Sequence, residues 1–309
     1  MERLTVAAYR RLLDGVSQIV VAKTLRIVLS VWRRPDPEDD GAEAQKAAQL
    51  DQIVSRLASV VRDARVQAHD AALRFLGDQA KAQGVGGSIY EPPLDGYADQ
   101  GLRSALAELD GRTNLLSLKP RDVAMRVANV TVRHTEAAAR DTVRRAAEDA
   151  PEGWKAEDFR PAALAGLREL DGDELVDAVP TKSTPVRYAL GYARMLTGTD
   201  NCPFCVMLAS RGPVYRQTTA VATNDSADDE RRYHDSCDCI AVPVYNAKTW
   251  PGADTHEKLA SVYYAAQEAV GDDELIPNSN TPPQLQKLRK YLASNTDALA
   301  FLEQIRSLP

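Results

Sequence analysis

The sequence predicts a mainly α protein with an elongated helical body, a small zinc-clipped α+β module near residues 198–250, and C-terminal helices. Hydrophobic residues make up 44% of the 309-residue chain but aromatic residues only 6%, a balance that suits long helices packed through small side chains. Apolar residues recur every three or four positions over the first half of the chain. All four cysteines, by contrast, lie between Cys202 and Cys239.

The first two helices are predicted from their apolar spacing, and Pro35 and Pro37 end the first. The apolar positions of the first helix are Leu13, Val16, Val20, Thr24, Ile27 and Val31. The second helix carries a heptad seam made of Leu50, Val54, Leu57, Val61, Ala64, Ala68, Ala71 and Phe75. A strict seven-residue repeat keeps its seam on a partner by left-handed supercoiling. Two partners fit: the first helix, folded back as a coiled-coil hairpin, or another subunit of a homo-oligomer.

Two further helices complete the predicted body. Glycines and prolines at residues 84–93 mark a break, and a short helix follows around residues 102–109. A longer helix begins with Pro120 at its first position and runs to about Asp149. Its apolar stripe consists of Val123, Val127, Val130, His134 and Ala137.

The second half of the chain is less regular. Residues 184–197 are predicted to form one more helix, which leads into the cysteine region. Residues 240–245 are β-like, and Val214 and Tyr215 are their expected partner strand. Helices are expected near residues 255–270, 281–292 and 299–305. The predicted parts are a helical body, a connecting helical segment, a zinc-binding module and C-terminal helices, at residues 1–150, 151–197, 198–250 and 251–309.

The module holds five side chains with the chemistry of metal ligands: Cys202, Cys205, His234, Cys237 and Cys239. A CxxC knuckle, a loop and an HxxCxC run supply the thiolates and the neutral imidazole of a tetrahedral zinc site. Three ligands within six residues reach one ion only through a tight turn. We therefore expect Cys202, Cys205, His234 and one of the last pair. Cys239 is preferred to Cys237 because it begins the β segment and ties that strand to the knuckle.

A structural role is expected for this zinc ion, because a closed four-ligand site leaves no position for water or substrate. Its binding energy, on the order of 10 kcal/mol, is folding energy for a segment with little apolar content. A catalytic metal would instead require an open coordination position and a nearby base. Asp235 and Asp238 are the candidates for that base, because they are adjacent to the predicted ligands in sequence. The interpretation of the CxxC motif as a redox pair is disfavoured, because no thioredoxin-like βαβ pattern surrounds it. A disulfide is disfavoured because no export signal is recognised.

Four stretches around the clip form a recognisable pattern. They read Leu-Thr-Gly-Thr-Asp-Asn-Cys-Pro-Phe-Cys, Leu-Ala-Ser-Arg-Gly-Pro-Val-Tyr, Tyr-His-Asp-Ser-Cys-Asp-Cys and Pro-Val-Tyr, at residues 196–205, 208–215, 233–239 and 243–245. The pattern resembles the MuF-like minor head proteins of tailed bacteriophages, particularly of phages that infect actinobacteria. The resemblance covers roughly residues 184–250. In that family a mostly helical body precedes the CxxC, loop and HxxCxC module.

The resemblance implies a non-enzymatic minor capsid protein that acts in head morphogenesis. Such proteins enter the head in few copies with other head proteins and contact the portal protein from inside. Some leave with the DNA on ejection. The chain is accordingly expected in the capsid interior of the virion, after assembly in the host cytoplasm.

An arginine stripe on the long helix has two interpretations. The stripe consists of Arg126, Arg133, Arg140 and Arg144. It could face packaged DNA or an acidic portal surface. Alternatively, it is a solvated helix face paired with Glu136, Asp141 and Glu148. The net charge of −6 and the pI of about 5.4 argue against a DNA binder that uses its whole surface.

The alternative function is a metal-dependent nuclease of the ββα type, suggested by the His234-Asp235 pair beside a β segment. That fold needs a catalytic metal site with its own histidines. If His234 binds the structural zinc, only His69, His134 and His256 remain, and none lies in a β context. His69 and His134 are expected to be core or edge histidines. No membrane span is expected, because charged and polar residues interrupt the most apolar stretch at residues 16–32.

Overall fold

The described structure is dominated by helices, as the composition predicts. A computed structural model describes residues 4–36, 38–150, 186–197, 202–213, 239–277, 279 and 281–306. These residues form eight α-helices and four short β-strands. Among them, no helix combines the length and the apolar character that a membrane crossing requires.

Four helices form the body of the protein. They are α1 (Val6–Val31), α2 (Ala42–Ala82), α3 (Asp99–Thr113) and α4 (Pro120–Glu148). The Thr5 side chain caps α1 by accepting a hydrogen bond from the backbone N–H of Ala8. Pro120 lies in the first turn of α4, as predicted, where its missing N–H costs no helical hydrogen bond.

The heptad seam of α2 is buried within the chain. Helices α1, α2 and α4 pack pairwise against one another. The seam residues from Val54 to Phe75 are all buried, and Leu50 is half-buried. The intrachain alternative is therefore confirmed, although α4 covers the seam together with α1. No second copy of the chain is needed to bury it.

Two apolar clusters divide the body along its length. One cluster, around Trp32, Leu57 and Leu106, joins the C-terminal half of α1, the first half of α2, α3 and the start of α4. The other contains the stacked rings of Tyr9 and Phe75, whose centroids are 4.1 Å apart. This second cluster continues without interruption into the β-strands and the C-terminal helices.

The strands form two small sheets beside the second cluster. Strand β1 (Ser88–Ile89) pairs in parallel with β2 (Val186–Arg187). Strand β3 (Gly191–Leu196) pairs antiparallel with β4 (Cys239–Val244), so that Leu196 lies opposite Cys239. The β3–β4 sheet packs on α2 and α4, and β3 also contacts the short helix α5 (Pro203–Ala209).

The helix predicted at residues 184–197 is wrong, because the described part of this range forms strands β2 and β3. Its Ala, Leu, Met and Arg residues favour a helix locally, but pairing with β4 and burial against α4 override that preference. The strand predicted at residues 240–245 is confirmed as β4. Its expected partner, Val214 and Tyr215, lies outside the described residues. The described partner of β4 is β3.

The C-terminal helices are confirmed. They are α6 (Ala253–Ala269), α7 (Pro283–Ser294) and α8 (Thr296–Arg306). Leu285, Leu288 and Leu292 bury one face of α7, which packs on α5 and α6. The predicted domain ranges stay predictions. Residues 151–185, the bulk of the predicted connecting segment, lie outside the described residues.

Gln83, the residue that follows α2, joins that helix to β4. Its side-chain amide donates a hydrogen bond to the carbonyl of Pro243 at 3.0 Å. Its Oε1 accepts from the backbone N–H groups of Tyr245 and Asn246 at 2.7 and 3.0 Å. Pro243 itself has no N–H to offer a neighbouring strand. The buried Gln83 side chain, only 3% exposed, therefore makes the hydrogen bonds that the backbone of a neighbouring strand would otherwise make.

We expect Gln83→Ala to lower the free energy of unfolding by about 2–3 kcal/mol, because it leaves buried backbone donors and an acceptor without partners. Urea unfolding followed by circular dichroism measures the change. Gln52→Ala is the matched control, because Gln52 is exposed on the same helix. Equal losses in the two variants would show that the amide bridge contributes nothing specific.

Candidate functional site

The first two predicted ligands lie together at the start of α5. Cys202 is the N-cap of this helix, and its Sγ accepts a hydrogen bond from the backbone N–H of Cys205 at 3.3 Å. The two sulfur atoms are 3.3 Å apart. Pro203 occupies the first helical turn, where its fixed φ is compatible with the helix. The CxxC spacing therefore brings both thiols to one side of the helix start.

These two thiols fit a zinc ion. Two sulfurs of a tetrahedral site with Zn–S bonds of about 2.3 Å are about 3.8 Å apart, so the observed pair needs only a small opening. The N–H bond to Cys202 favours its thiolate form, which is the form that binds metal. Cys205 is buried and Cys202 is half-buried, so this end of the pair can be approached from outside.

Cys239 lies at the start of β4, as predicted, and it is buried. Its Sγ accepts a hydrogen bond from Nη1 of the buried Arg194 at 3.5 Å. His234 and Cys237 lie outside the described residues. In the part of the chain that the structure describes, no three His, Cys, Asp or Glu side chains are grouped to hold a metal ion. Because two candidates lie outside that part, the ligand set stays a prediction.

The other end of α5 is held by α6. Gly212 has a positive φ of 66°, and a Cβ built on it would lie 2.7 Å from ring atoms of His256. The His256 imidazole is hydrogen-bonded to the backbone of Ala209, the last residue of α5. Burial lowers the pKa of His256 and so favours the neutral ring. These contacts join the C-terminal end of α5, and the turn that follows it, to α6.

The two remaining described histidines are core residues, as predicted. His69 is buried, and its Nδ1 lies 2.7 Å from the Thr142 hydroxyl. Burial lowers the pKa of His69. His134 is fully buried, and its Nδ1 lies 3.3 Å from the Tyr97 hydroxyl. Both rings are engaged inside the helical body.

The arginine stripe is partly neutralised within α4. Arg140 pairs with Glu136 at 3.3 Å, and Arg144 pairs with Glu148 at 2.7 Å and with Asp141 at 3.5 Å. The predicted pairing is therefore confirmed for these two arginines, although both are half-buried rather than on a fully solvated face. Glu136 also accepts a hydrogen bond from Ser17 of α1 at 2.8 Å, so this side of α4 borders α1.

Comparisons with known proteins point to bacteriophages. Residues 181–266 match the family described as VG15 protein. The chain is 28% identical over 171 residues to the Gene 15 protein of Mycobacterium phage L5, which covers 42% of this chain and 57% of that protein. It is 28% identical over 129 residues to the Gene 15 protein of Mycobacterium phage D29, at 35% and 45% coverage. No solved structure matches.

The chain spans about half the length of the curated relatives that it matches. The family match covers β2, β3, β4, α5 and most of α6, rather than the helical body. These similarities support a phage protein related to the VG15 family, in agreement with the phage origin that the cysteine-region pattern implied. The matched family is not described as MuF-like, so the minor capsid role remains a proposal.

We expect Gly212→Ala to destabilise the protein by about 1–3 kcal/mol, because the new methyl group would meet the His256 ring at a backbone angle that disfavours alanine. Thermal and urea unfolding measure the loss. Gly111→Ala is the control, since a Cβ there meets nothing within 4 Å and the residue lies inside α3. The control should gain up to about 1 kcal/mol. A neutral Gly212→Ala variant contradicts the close contact.

Proposed function

We propose that this chain is a minor capsid protein of the MuF-like type, which acts in phage head morphogenesis and contacts the portal protein inside the head. The observation that carries the proposal is the match of residues 181–266 to the VG15 family, because this region contains all the predicted metal ligands. The similarity to the Gene 15 proteins of two mycobacteriophages supports it. The same region carries the motifs on which the MuF-like resemblance depends.

The helical body is suited to a structural role in a particle. Its longest helix, α2, has 41 residues and is therefore about 60 Å long. The β3–β4 sheet and α5 are packed against the end of this body through one continuous apolar cluster. Such an arrangement carries a small surface unit on a long rigid support. No catalytic step is part of this proposal.

A single structural zinc ion completes the proposal. Its ligands are Cys202, Cys205 and His234, with Cys239 preferred to Cys237 as the fourth. When bound, the ion supplies a cross-link between segments that are distant in sequence. The chain's own contribution is to hold two thiols together at the start of α5 and to fix that helix against β3, α6 and α7.

Purified particles of the encoding phage test the head assignment. Quantitative mass spectrometry should find the protein in mature virions or in procapsids, at few copies relative to the major capsid protein. A non-structural protein of the same phage, removed by the same purification, is the control. Absence of the protein from both virions and procapsids would contradict the assignment to the phage head.

Metal analysis of the purified chain tests the zinc site. We expect one zinc per chain, which Cys202→Ser and Cys205→Ser should release. Both variants should become protease-sensitive between residues 200 and 245 while their far-UV circular dichroism stays helical. Ser210→Ala, on the residue just after α5, is the control and should keep the metal. Unchanged zinc content in the cysteine variants contradicts this site.

The nuclease alternative and the portal contact need separate assays. Plasmid incubated with the protein and magnesium or manganese should remain intact. Cleavage that His234→Ala abolishes would instead establish the nuclease alternative. Co-expression with the portal protein should yield a complex that survives affinity purification, and failure to recover it removes the portal from the proposal.

A further inference from the structure

Helix α1 exposes an unusual amount of apolar surface on the side that faces away from the bundle. Leu12, Ile19 and Leu29 are 39%, 52% and 45% exposed. Residues seven apart lie on one side of a helix, and residues three apart are neighbours on it. Two adjacent rows with heptad spacing therefore run along this side. We call them the α1 face, which consists of Leu12, Gly15, Ile19, Ala22, Arg26 and Leu29.

The shape of the α1 face, in which small residues lie between large ones, is compatible with packing against a helix of a partner. Gly15 and Ala22 lie between the larger side chains, and a Cβ added to Gly15 meets nothing within 4 Å. Small residues between large ones leave a depression that the ridge of a second helix can enter. From Leu12 to Leu29 the face is about 25 Å long, which corresponds to about five helical turns.

The charge of the α1 face is positive, although the whole chain has a net charge of −6. Arg11, Lys23 and Arg26 are exposed, and none of them makes an ion pair among the described residues. The single acidic residue of α1, Asp14, is bonded to Arg10 at 2.9 Å. A partner of matching chemistry therefore carries carboxylates beside its apolar residues.

The neighbouring helices differ in the charge that they add. On the α2 side, the exposed Arg56 lies 3.5 Å from the Ser30 hydroxyl, while the exposed Asp63 and Asp70 follow one and two heptads further along the same row. On the α4 side, the arginine row with seven-residue spacing borders α1 through the Glu136–Ser17 bond. Arg126 is the exposed member of that row. The positive surface therefore extends beyond α1 on the α4 side, at Arg126.

From these observations we infer that the α1 face binds an acidic amphipathic helix of another protein, about five turns long, with apolar residues at heptad spacing and Asp or Glu beside them. The inference rests on the proposed function only in placing that partner among the other proteins of the phage head. Burial of the apolar side chains supplies the affinity, and the flanking carboxylates select the partner.

Three other occupants fit the face less well. Duplex DNA offers phosphates to the basic groups but leaves Leu12, Ile19 and Leu29 in water. A membrane surface favours Trp and Phe on the apolar side, and both aromatic residues of α1 and its C-cap, Tyr9 and Trp32, are buried. A second copy of the chain brings the same uncompensated positive charges against each other.

Fluorescence anisotropy with the full chain and synthetic peptides tests the inference. The probe is an 18-residue helical peptide with Leu at heptad a and d positions and Glu at e and g. A second peptide carries Lys in place of every Glu, and a third scrambles the acidic sequence. The glutamate peptide should bind, more weakly as salt is raised, and the other two should not.

Charge exchange makes the test specific. The double variant Lys23→Glu, Arg26→Glu should bind the glutamate peptide at least tenfold more weakly and should gain binding to the lysine peptide. Ile19→Ser with Leu29→Ser, in the chain with its basic residues unchanged, should weaken binding of the glutamate peptide. Arg289→Glu on α7 and Ile276→Ser just before α7 are the controls, because both residues are exposed in the C-terminal part of the chain. Unchanged thermal unfolding shows that each variant is folded.

Several outcomes overturn the inference. They are absent binding of the glutamate peptide, equal binding of the lysine peptide, equal losses in the control variants, and displacement of the peptide by duplex DNA or anionic vesicles. A dimer in sedimentation that Ile19→Ser with Leu29→Ser dissolves assigns the face to a second copy. The peptide-binding assay contains no phage particle, so an absence of peptide binding does not contradict the minor capsid proposal. Equally, absence of the protein from phage particles does not contradict the peptide-binding result.

Discussion

Helix α2 buries one face along almost its whole length and contacts the other three helices of the body as well as β1 and β4. Ile53, Leu57 and Val61 belong to the apolar cluster at one end of the body. Phe75 and Leu76 belong to the apolar cluster that continues into the strands. Between them, Ala64 and Ala68 allow α1 and α4 to approach closely. A break in α2 would separate the two clusters.

Buried amide side chains fasten the chain to α2 wherever it turns. Gln49 donates to the carbonyl of Arg33 at 2.9 Å and accepts from the backbone N–H of the same residue. Gln79 donates to the carbonyl of Leu4 at 3.3 Å. Gln83 does the same for β4. An amide carries one donor group and one acceptor, like a peptide bond, so it can satisfy backbone groups that a loop would otherwise bury unpaired.

The same support explains how a cysteine-bearing segment of modest apolar content could be held in place. The strands on either side of it are clamped by α2 and α4, and α5 is enclosed by β3, α6 and α7. One end of α5 carries the paired thiols, and the other is fixed by the contact between Gly212 and His256. A metal bound at the first end is thereby coupled to the helical body, which suits the proposed role of a head protein that presents a small unit on a rigid support.

Local periodicity determined most of the helices, because the apolar spacing that marks a helix is contained within a few neighbouring residues. Other local signals, namely the cysteine spacing and the β-like run at residues 240–245, located the cysteine knuckle and β4. Only the tertiary structure decided that α1 and α4 jointly cover the seam of α2. It also turned residues 191–196 from an apparent helix into β3, whose partner begins at Cys239. Gln83 contacts residues 160 and more positions away. Such long-range pairings leave no periodic trace in the sequence, since they depend on which distant backbone groups folding brings within hydrogen-bonding distance.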